Sequence, residues 1–178
     1  GILADCAARE PRVRVVTNDP NRGYSQALIR GFRACNLGVI FYTDADAQFD
    51  LMEMRKLYPL IADNDMVAGF RVGRQDPWFR LVTSGVYNVI QGLVLGVKAR
   101  DVNCAFKFFR REFFEAVELS SDGFLIDAEL YARADRAGLR WAQGPVTHRP
   151  RVEGSTTVKV GTIQETLAEL FALKRMLR

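Results

Sequence analysis

Short apolar runs alternate with amphipathic segments along the first half of the chain. Strand-like runs occupy residues 13–16, 39–42 and 66–69, and each is bounded by polar or turn-forming residues. Helical periodicity fills the intervals at residues 25–35 and 51–61. This β-α-β-α-β order is typical of a layered α/β domain with a mostly parallel sheet, in which ligands bind outside the carboxyl ends of the strands.

The second half adds further strands and helices. Residues 101–109 and 140–147 have strand character, and residues 126–137 form a predicted helix that a glycine ends. The chain closes with an amphipathic helix over residues 161–178, whose last turn is basic. We therefore predict one α/β domain over residues 1–160, followed by a helix that faces a membrane.

The segment 77–97 is helical in pattern but apolar around most of its circumference. Such a helix suits a membrane interface or an apolar groove, and burial in the core explains it equally well. Arg80 and Ser84 lie one helical turn apart and share a face of this helix.

Composition and charge restrict the partners. The net charge is +4, and the residues from Arg149 onward carry six Lys or Arg against three Glu. This bias favours a phosphate-bearing or membrane-surface partner and is too weak to indicate nucleic acid. We expect no signal peptide, and no apolar run reaches the roughly 18 residues that a membrane span requires.

Histidine and cysteine usage narrows the chemistry. His148 is the only histidine, which excludes a multi-histidine metal site and argues against a Ser-His triad. The three cysteines are widely spaced, a pattern that fits buried thiols in a reducing compartment better than disulfides or a zinc site.

An acidic D-x-D segment follows the apolar run 39–42. Strand alternation directs Asp44 and Asp46 to the same side, and Gln48 follows them. Two such close carboxylates repel each other unless a cation lies between them, and Mg²⁺ takes one or two carboxylates together with water and substrate phosphate. The segment therefore predicts a metal–diphosphate site, although an acidic turn that only ends a strand has the same composition.

Other candidate groups are basic or acidic side chains near predicted strand ends and helix starts. Arg71 follows the run 66–69 and is expected at the same rim as Asp44 and Asp46. Asp127 and Glu129 lie in the first turn of a helix, where they also act as plain helix-dipole partners. The loop 148–157 is rich in guanidinium and hydroxyl groups that suit phosphate oxygens, or a solvated surface loop.

Seven segments, in order along the chain, resemble the family 2 glycosyltransferases, in the dolichol-phosphate mannosyltransferase-like branch that charges polyprenyl or dolichyl phosphate with a sugar. They are NRGYSQA (21–27), YTDADAQFD (42–50), VAGFR (67–71), RLVTSGVYN (80–88), DVNCAFK (101–107), GFLIDAEL (123–130) and HRPRVEGS (148–155).

The resemblance implies a GT-A fold, a three-layer α/β sandwich, and a nucleotide-diphosphate sugar donor (GDP-mannose or a UDP-hexose) held through Mg²⁺ or Mn²⁺. It assigns the metal to Asp44, Asp46 and Gln48. It assigns donor and phosphate contacts to Asp44, Arg71, Arg80, Ser84, Arg149, Arg151 and Ser155. It leaves Asp101, Asp127 and Glu129 as catalytic-site carboxylates that orient sugar or acceptor.

The chain departs from the family in two places. The family's first strands, which contact the nucleotide base, are not recognisable, so we expect an amino-terminally truncated catalytic domain. The closing loop has Thr156 where the family often has Lys, and Arg151 or Lys159 would supply that charge.

The resemblance predicts inverting transfer of a hexose to polyprenyl phosphate by a peripheral protein at the cytoplasmic face of the membrane. A lipid phosphate is already ionised near neutral pH, so this reaction needs no indispensable general base. Two alternatives stay open: transfer to a soluble or polysaccharide hydroxyl, with Asp127 or Glu129 as the base, and an inactive membrane-docking module.

Overall fold

A computed structural model describes residues 1–74, 78–150 and 161–177, without the side chains of residues 79–80 and 161–167. The strands are β1 (Val39–Thr43), β2 (Met66–Val72), β3 (Phe106–Arg110) and β4 (Trp141–Thr147). The helices are α1 (Ile2–Arg9), α2 (Tyr24–Ala34), α3 (Met54–Leu57), α4 (Trp78–Leu95), α5 (Phe113–Ala116), α6 (Ile126–Arg136) and α7 (Gly161–Met176). Two 3₁₀ segments, Leu51–Glu53 and Tyr58–Ala62, flank α3.

The four described strands form one mixed sheet in the order β1-β3-β2-β4. Strands β2 and β4 are parallel, with Ala68 opposite Gln143. Strand β3 runs antiparallel to both of its neighbours, so β1, β2 and β4 all point the same way. Their carboxyl ends therefore meet at one rim of the sheet, as the sequence predicts, while the antiparallel β3 between β1 and β2 is a feature that the sequence did not reveal.

Helices cover both faces of the sheet. Successive strand residues point to opposite faces, and both faces carry apolar side chains that need to be buried. Met66 and Phe109 pack with α2, α6 and α7 in the larger apolar cluster. Val67 and Phe108 face the other way and pack with Leu57 of α3 in a second cluster. The predicted three-layer α/β architecture is thereby confirmed.

Three sequence predictions about strands and helices are wrong in whole or in part, and so is the prediction of buried thiols. Residues 13–16 form no strand, because β1 is the edge of the described sheet and no described strand pairs with this segment. The predicted strand 101–109 reduces to Phe106–Arg110, and the predicted helix 51–61 is two 3₁₀ segments around α3, with Pro59 at the start of the second. Among the free thiols only Cys104 is buried, whereas Cys6 is exposed.

Helices α4 and α7 pack against each other beside the sheet. In α7 the side chains of Leu170 and Leu173 are buried in the larger cluster, so this helix contributes to the same core as the sheet. The predicted boundary at residue 160 falls outside the described residues. No helix in the described part of the chain is long and apolar enough to cross a membrane.

Candidate active site

The acidic segment lies where β1 ends, at the rim of the sheet. Asp44 is exposed and Asp46 is half-buried. Asp46 accepts a hydrogen bond of 3.2 Å from the backbone N–H of Gln48, and Ala47 between them has a left-handed φ of 58°. The chain therefore turns sharply and presents carboxylate and amide oxygens at this end of the strand.

This donor set fits a hard divalent ion that keeps part of its shell for water and substrate. Within the described residues no group of three or more His, Cys, Asp and Glu side chains has the arrangement of a complete protein cage. Mg²⁺ and similar ions at phosphate-transfer sites use one or two carboxylates and substrate oxygens instead. Asp44, Asp46 and Gln48 are residues of the type that such an ion requires.

The segment after β4 lies directly beside this turn. The Gln48 side-chain amide donates to the Arg149 carbonyl at 3.0 Å, and the Arg149 N–H donates to the Gln48 carbonyl at 2.8 Å. The Arg149 guanidinium donates to Asp50 at 2.8 Å. The structure thus brings Arg149 next to the acidic segment, whereas Arg151 and Ser155 lie outside the described residues.

Arg71 at the end of β2 is held by Asp101 in a two-point ion pair. The Arg71 Nε and Nη2 atoms donate to the two Asp101 oxygens at 2.7 and 2.8 Å, and the Arg71 backbone N–H donates to Oδ2 at 3.2 Å. Burial alone would raise the pKa of Asp101, but the hydrogen bonds and charge of Arg71 outweigh burial and lower it. Asp101 is therefore a poor proton acceptor near neutral pH.

The loop that carries Asp101 is fixed from two sides. Asn88 of α4 accepts from the Val102 N–H at 2.9 Å and donates to the Arg100 carbonyl at 2.9 Å. Gln143 of β4 donates to the Asp101 carbonyl at 3.3 Å. These side chains explain why residues 101–105 leave the strand geometry that the sequence suggests.

Ser84 of α4 faces a second guanidinium at the same rim. Arg74 donates to the Ser84 hydroxyl at 3.1 Å. Arg80 lies one helical turn before Ser84, and its side chain is outside the described part of the structure. The sequence predicted Ser84 as a phosphate contact but did not single out its partner Arg74.

Asp127 is buried against Lys107, the one polar side chain of β3 that points into the larger cluster. The Lys107 ammonium donates to Asp127 at 2.5 Å and to the carbonyls of Cys104 and Val102 at 2.6 and 3.2 Å. Its three donors are thus all used, with the rings of Tyr42 and Tyr131 nearby. A lone Lys in the apolar run FKFF is the signal from which this partner of Asp127 was predictable.

Glu129 is fully buried, and its carboxylate fixes the loop at Ser120 and Ser121. Its carboxylate accepts from the N–H groups of Ser120 and Ser121, from the Ser120 hydroxyl and from Arg133 of the next helical turn. Burial raises the pKa of Glu129, but these hydrogen bonds outweigh burial and lower it. Glu129 thus joins the loop 120–121 to Arg133 of its own helix.

Two tyrosines, Tyr24 and Tyr42, feel the negative charges of both Asp44 and Asp127. The hydroxyls of Tyr24 and Tyr42 hydrogen-bond to each other. Burial, and then the negative charge of Asp127, raise the pKa of both side chains, and Asp44 adds to the effect on each. Both phenols are therefore neutral hydrogen-bonding groups. Each tyrosine lies in one of the seven family motifs, but nothing in the sequence indicated that the two hydroxyls meet.

The comparison with known families decides the identity of this domain. Residues 1–118 match the profile described as glycosyl transferase family 2. The chain belongs to glycosyltransferase family 2.

Curated relatives extend the family 2 match beyond residue 118. Glycosyltransferase AglD of Haloferax volcanii is 33% identical over 161 residues, covering 85% of this chain and 25% of its own length. The polyprenol monophosphomannose synthase of Mycolicibacterium smegmatis is 29% identical over 94% of this chain and 68% of its own. The dolichol-phosphate mannosyltransferase of Pyrococcus furiosus is 28% identical over 92% of this chain and 48% of its own. The family 2 chain thus spans between a quarter and about two thirds of these relatives.

Solved structures confirm the GT-A fold of this family 2 domain. Glucosyl-3-phosphoglycerate synthase from Mycobacterium tuberculosis, in complex with Mn²⁺, UDP-glucose and phosphoglyceric acid, superimposes with a TM-score of 0.64 at 17% identity. The match covers 95% of this chain and 59% of that one. At this identity the likeness concerns the fold alone.

Proposed function

We propose that this domain transfers a hexose, with inversion, from a nucleotide-diphosphate sugar to polyprenyl phosphate at the cytoplasmic face of a membrane. The curated relatives named as polyprenol monophosphomannose synthase and dolichol-phosphate mannosyltransferase support a lipid-phosphate acceptor. The solved relative with bound Mn²⁺ and UDP-glucose supports a metal-dependent nucleotide-sugar donor.

A lipid-phosphate acceptor is favoured because each of the three candidate carboxylates is in an ion pair with a basic side chain. Asp101 is tied to Arg71, Asp127 to Lys107 and Glu129 to Arg133. A general base must accept a proton from the attacking hydroxyl, and carboxylates held by cations do this poorly. An acceptor phosphate is already ionised near neutral pH, since the second pKa of a phosphomonoester is about 6.

The remaining requirements of this reaction are placement and charge stabilisation. The acceptor oxygen must lie in line with the anomeric carbon, and the leaving diphosphate must be stabilised as it departs. Arg71 and Arg74 at the end of β2, with Ser84 opposite, offer cationic and hydroxyl donors for phosphate oxygens. Arg80, Arg151 and Ser155 are proposed to add to these contacts.

Asp44, Asp46 and Gln48 are the residues proposed to hold Mg²⁺ or Mn²⁺. When bound there, the ion neutralises charge on the diphosphate leaving group. Arg149 is held beside this segment because its backbone N–H donates to the Gln48 carbonyl and its own carbonyl accepts from the Gln48 side-chain amide. We propose that it contributes positive charge to the same diphosphate.

Helix α4 supports the membrane assignment. Trp78, Val82, Val86, Val89 and Leu93 form a stripe that leaves 54 to 79% of each side chain exposed. Helix α4 contains no acidic residue, and Lys174 and Arg175 end the neighbouring α7. Lys and Arg near an anionic lipid surface add attraction to apolar insertion. We propose that the α4 stripe inserts into the membrane interface.

The test is sugar transfer with acceptors that separate the alternatives. The protein is incubated with Mn²⁺ and radiolabelled GDP-mannose or UDP-glucose, in vesicles that contain polyprenyl phosphate or the matching polyprenol. Transfer that requires the phosphate supports the proposal. Transfer to the alcohol or to a soluble hydroxyl supports the alternative acceptor, and vesicle binding without any transfer supports the docking module.

A further inference from the structure

We propose that Asp50 is a positioning residue of the donor site: its carboxylate holds the Arg149 guanidinium beside the acidic segment, where that guanidinium meets the donor diphosphate. This inference deepens the proposed function and rests on it, because it assumes that the diphosphate binds at the end of β1. The family resemblance assigns no role to Asp50.

The main chain of Arg149 is fixed on two sides. The N–H of the preceding residue, His148, donates to the Val72 carbonyl at 3.3 Å, which extends the pairing of β4 with β2 to the end of both strands. On the other side, the Arg149 N–H donates to the Gln48 carbonyl at 2.8 Å, and the Arg149 carbonyl accepts from the Gln48 amide at 3.0 Å. Arg149 thus leaves the sheet directly beside the acidic segment.

A buried carboxylate joins the end of β4 to the 3₁₀ segment that Asp50 begins. Glu53 is 8% exposed, and it accepts from the Thr147 N–H at 2.6 Å and from the Thr147 hydroxyl at 3.1 Å. Lys56 donates to the same carboxylate at 2.5 Å and balances its charge. Asp50 is the N-cap residue of this 3₁₀ segment. The segments that carry Asp50 and Arg149 are therefore held together independently of their own ion pair.

The Asp50 carboxylate uses its two oxygens for different partners. Oδ1 accepts from the Met52 N–H at 3.0 Å, which is the cap of the 3₁₀ segment. Oδ2 accepts from Nη2 of Arg149 at 2.8 Å. Because the cap fixes one oxygen, the other has a defined direction. The Arg149 side chain, whose main chain is also fixed, is then held at both ends.

The Arg149 guanidinium keeps donors for an anion. Its described contact with Asp50 uses Nη2, whereas a guanidinium has five N–H donors, and 57% of the side chain is exposed. Such groups bind phosphate oxygens through two parallel N–H bonds. A long arginine side chain loses rotamer entropy when it binds an anion, and a carboxylate that already holds the side chain reduces this loss.

The experiment measures donor binding by calorimetry with Mn²⁺, using whichever of GDP-mannose and UDP-glucose wild type binds more tightly. Asp50→Asn keeps an oxygen for the Met52 N–H but removes the charge, and we expect its Kd to rise roughly threefold, the scale of a partly exposed ion pair. Asp50→Glu keeps the charge and should recover most of the affinity. Glu115→Gln is the matched control, because its exposed pair with Arg111 follows the antiparallel β3 at the opposite end of the sheet.

A double-mutant cycle with Arg149→Gln separates positioning from a direct role of Asp50. Arg149→Gln alone should raise the Kd about tenfold or more, as for a lost charge-assisted contact. If Asp50 acts through Arg149, Asp50→Asn causes no further loss in that background. An equal loss in both backgrounds would overturn the positioning role and indicate that Asp50 contacts the ion itself.

The sign of the change in Asp50→Asn is equally informative. A lower Kd than that of wild type would mean that Asp50 competes with the diphosphate for Arg149, and an unchanged Kd would mean that it has no part in donor binding. Either result overturns the inference and leaves the proposed function intact. Failure of wild type to bind either nucleotide sugar with Mn²⁺ would contradict the proposed function, and the inference with it. Melting curves check that each variant is folded.

Discussion

Arg71 and Asp101 face each other at the rim of the sheet in a two-point ion pair of 2.7 and 2.8 Å. Both side chains are about 15% exposed, so the pair is largely desolvated. This ion pair fixes the plane of the Arg71 guanidinium. A phosphate that Arg71 binds through two N–H groups would lie in the same plane. In this account Asp101 orients Arg71 and takes no proton from the acceptor.

The first prediction concerns Asp101→Asn. Loss of a charge-assisted contact should lower the free energy of unfolding by about 1–3 kcal/mol and reduce sugar transfer roughly tenfold by loosening Arg71. A folded variant that loses on the order of 10²- to 10⁴-fold, the range of general-base catalysis, would identify Asp101 as a base. Transfer rates and urea unfolding on the same preparations distinguish the two outcomes.

The second prediction is a pH dependence from Glu129. Folding lowers its pKa below the ordinary value of 4.5, so ionised Glu129 stabilises the protein above about pH 4.5 and this stabilisation is lost as pH falls through the folded pKa. Glu129→Gln should cost on the order of 3 kcal/mol at pH 7, as for a broken buried ion pair. The difference between wild type and variant should shrink toward pH 3.

Urea unfolding at pH 7, 5 and 3.5 measures this difference. Glu115→Gln is the control, because the side chain of Glu115 is 67% exposed and its pair with Arg111 is solvated. A pH-independent difference for Glu129→Gln would mean that the loss comes from packing and not from the charge.

The third prediction addresses the buried pair of Lys107 and Asp127. Lys107→Met removes the only cation that contacts Asp127 in the described structure and should destabilise the protein by about 3–5 kcal/mol. The double variant Lys107→Met/Asp127→Leu should recover part of this loss, because neither charge is then left buried alone. A double variant less stable than Lys107→Met would show that Asp127 is stabilised without Lys107.

The fourth prediction tests the α4 stripe. Val86 and Leu93 lie two turns apart on the same side of α4 and are 54% and 79% exposed. Val86→Asp/Leu93→Asp should reduce flotation with anionic vesicles at least tenfold, since burial of each side chain contributes roughly 1.5–3 kcal/mol, and should leave the melting temperature almost unchanged. Leu37→Asp is the control, because Leu37 is 72% exposed at the opposite, amino-terminal end of β1. Equal flotation of all variants would contradict insertion of α4.

The sequence predicts those features that depend on local pattern. The apolar runs give β1, β2 and β4, and the periodicity of α4 and α6 is accurate to within two residues at either end. The acidic end of β1 is visible because the carboxylates follow an apolar strand directly. The seven motifs led to the family and its fold.

Features that depend on contacts between distant segments could not be predicted from the sequence. The antiparallel position of β3 arises from pairing with strands more than 30 residues away, which no local pattern encodes. The run 13–16 has strand composition, but a strand also needs a neighbour, and β1 is the edge of the described sheet. The contacts of Arg74 with Ser84 and of Tyr24 with Tyr42 join segments that are far apart in the sequence or lie on different elements, so only the fold shows them.

The central claim is that Asp44 and Asp46 hold the donor through a divalent ion. Its most direct test is calorimetric binding of GDP-mannose and UDP-glucose with Mn²⁺ and with EDTA, for wild type and for Asp44→Ala/Asp46→Ala. Asp63→Ala/Asp65→Ala is the control, because it removes the same number of negative charges. These two residues precede β2 and lie near the opposite end of the sheet. We predict Mn²⁺-dependent binding by wild type and the control, and loss of at least 100-fold in the Asp44/Asp46 variant, the scale of about 3 kcal/mol. Undiminished Mn²⁺-dependent binding by that variant would contradict the account.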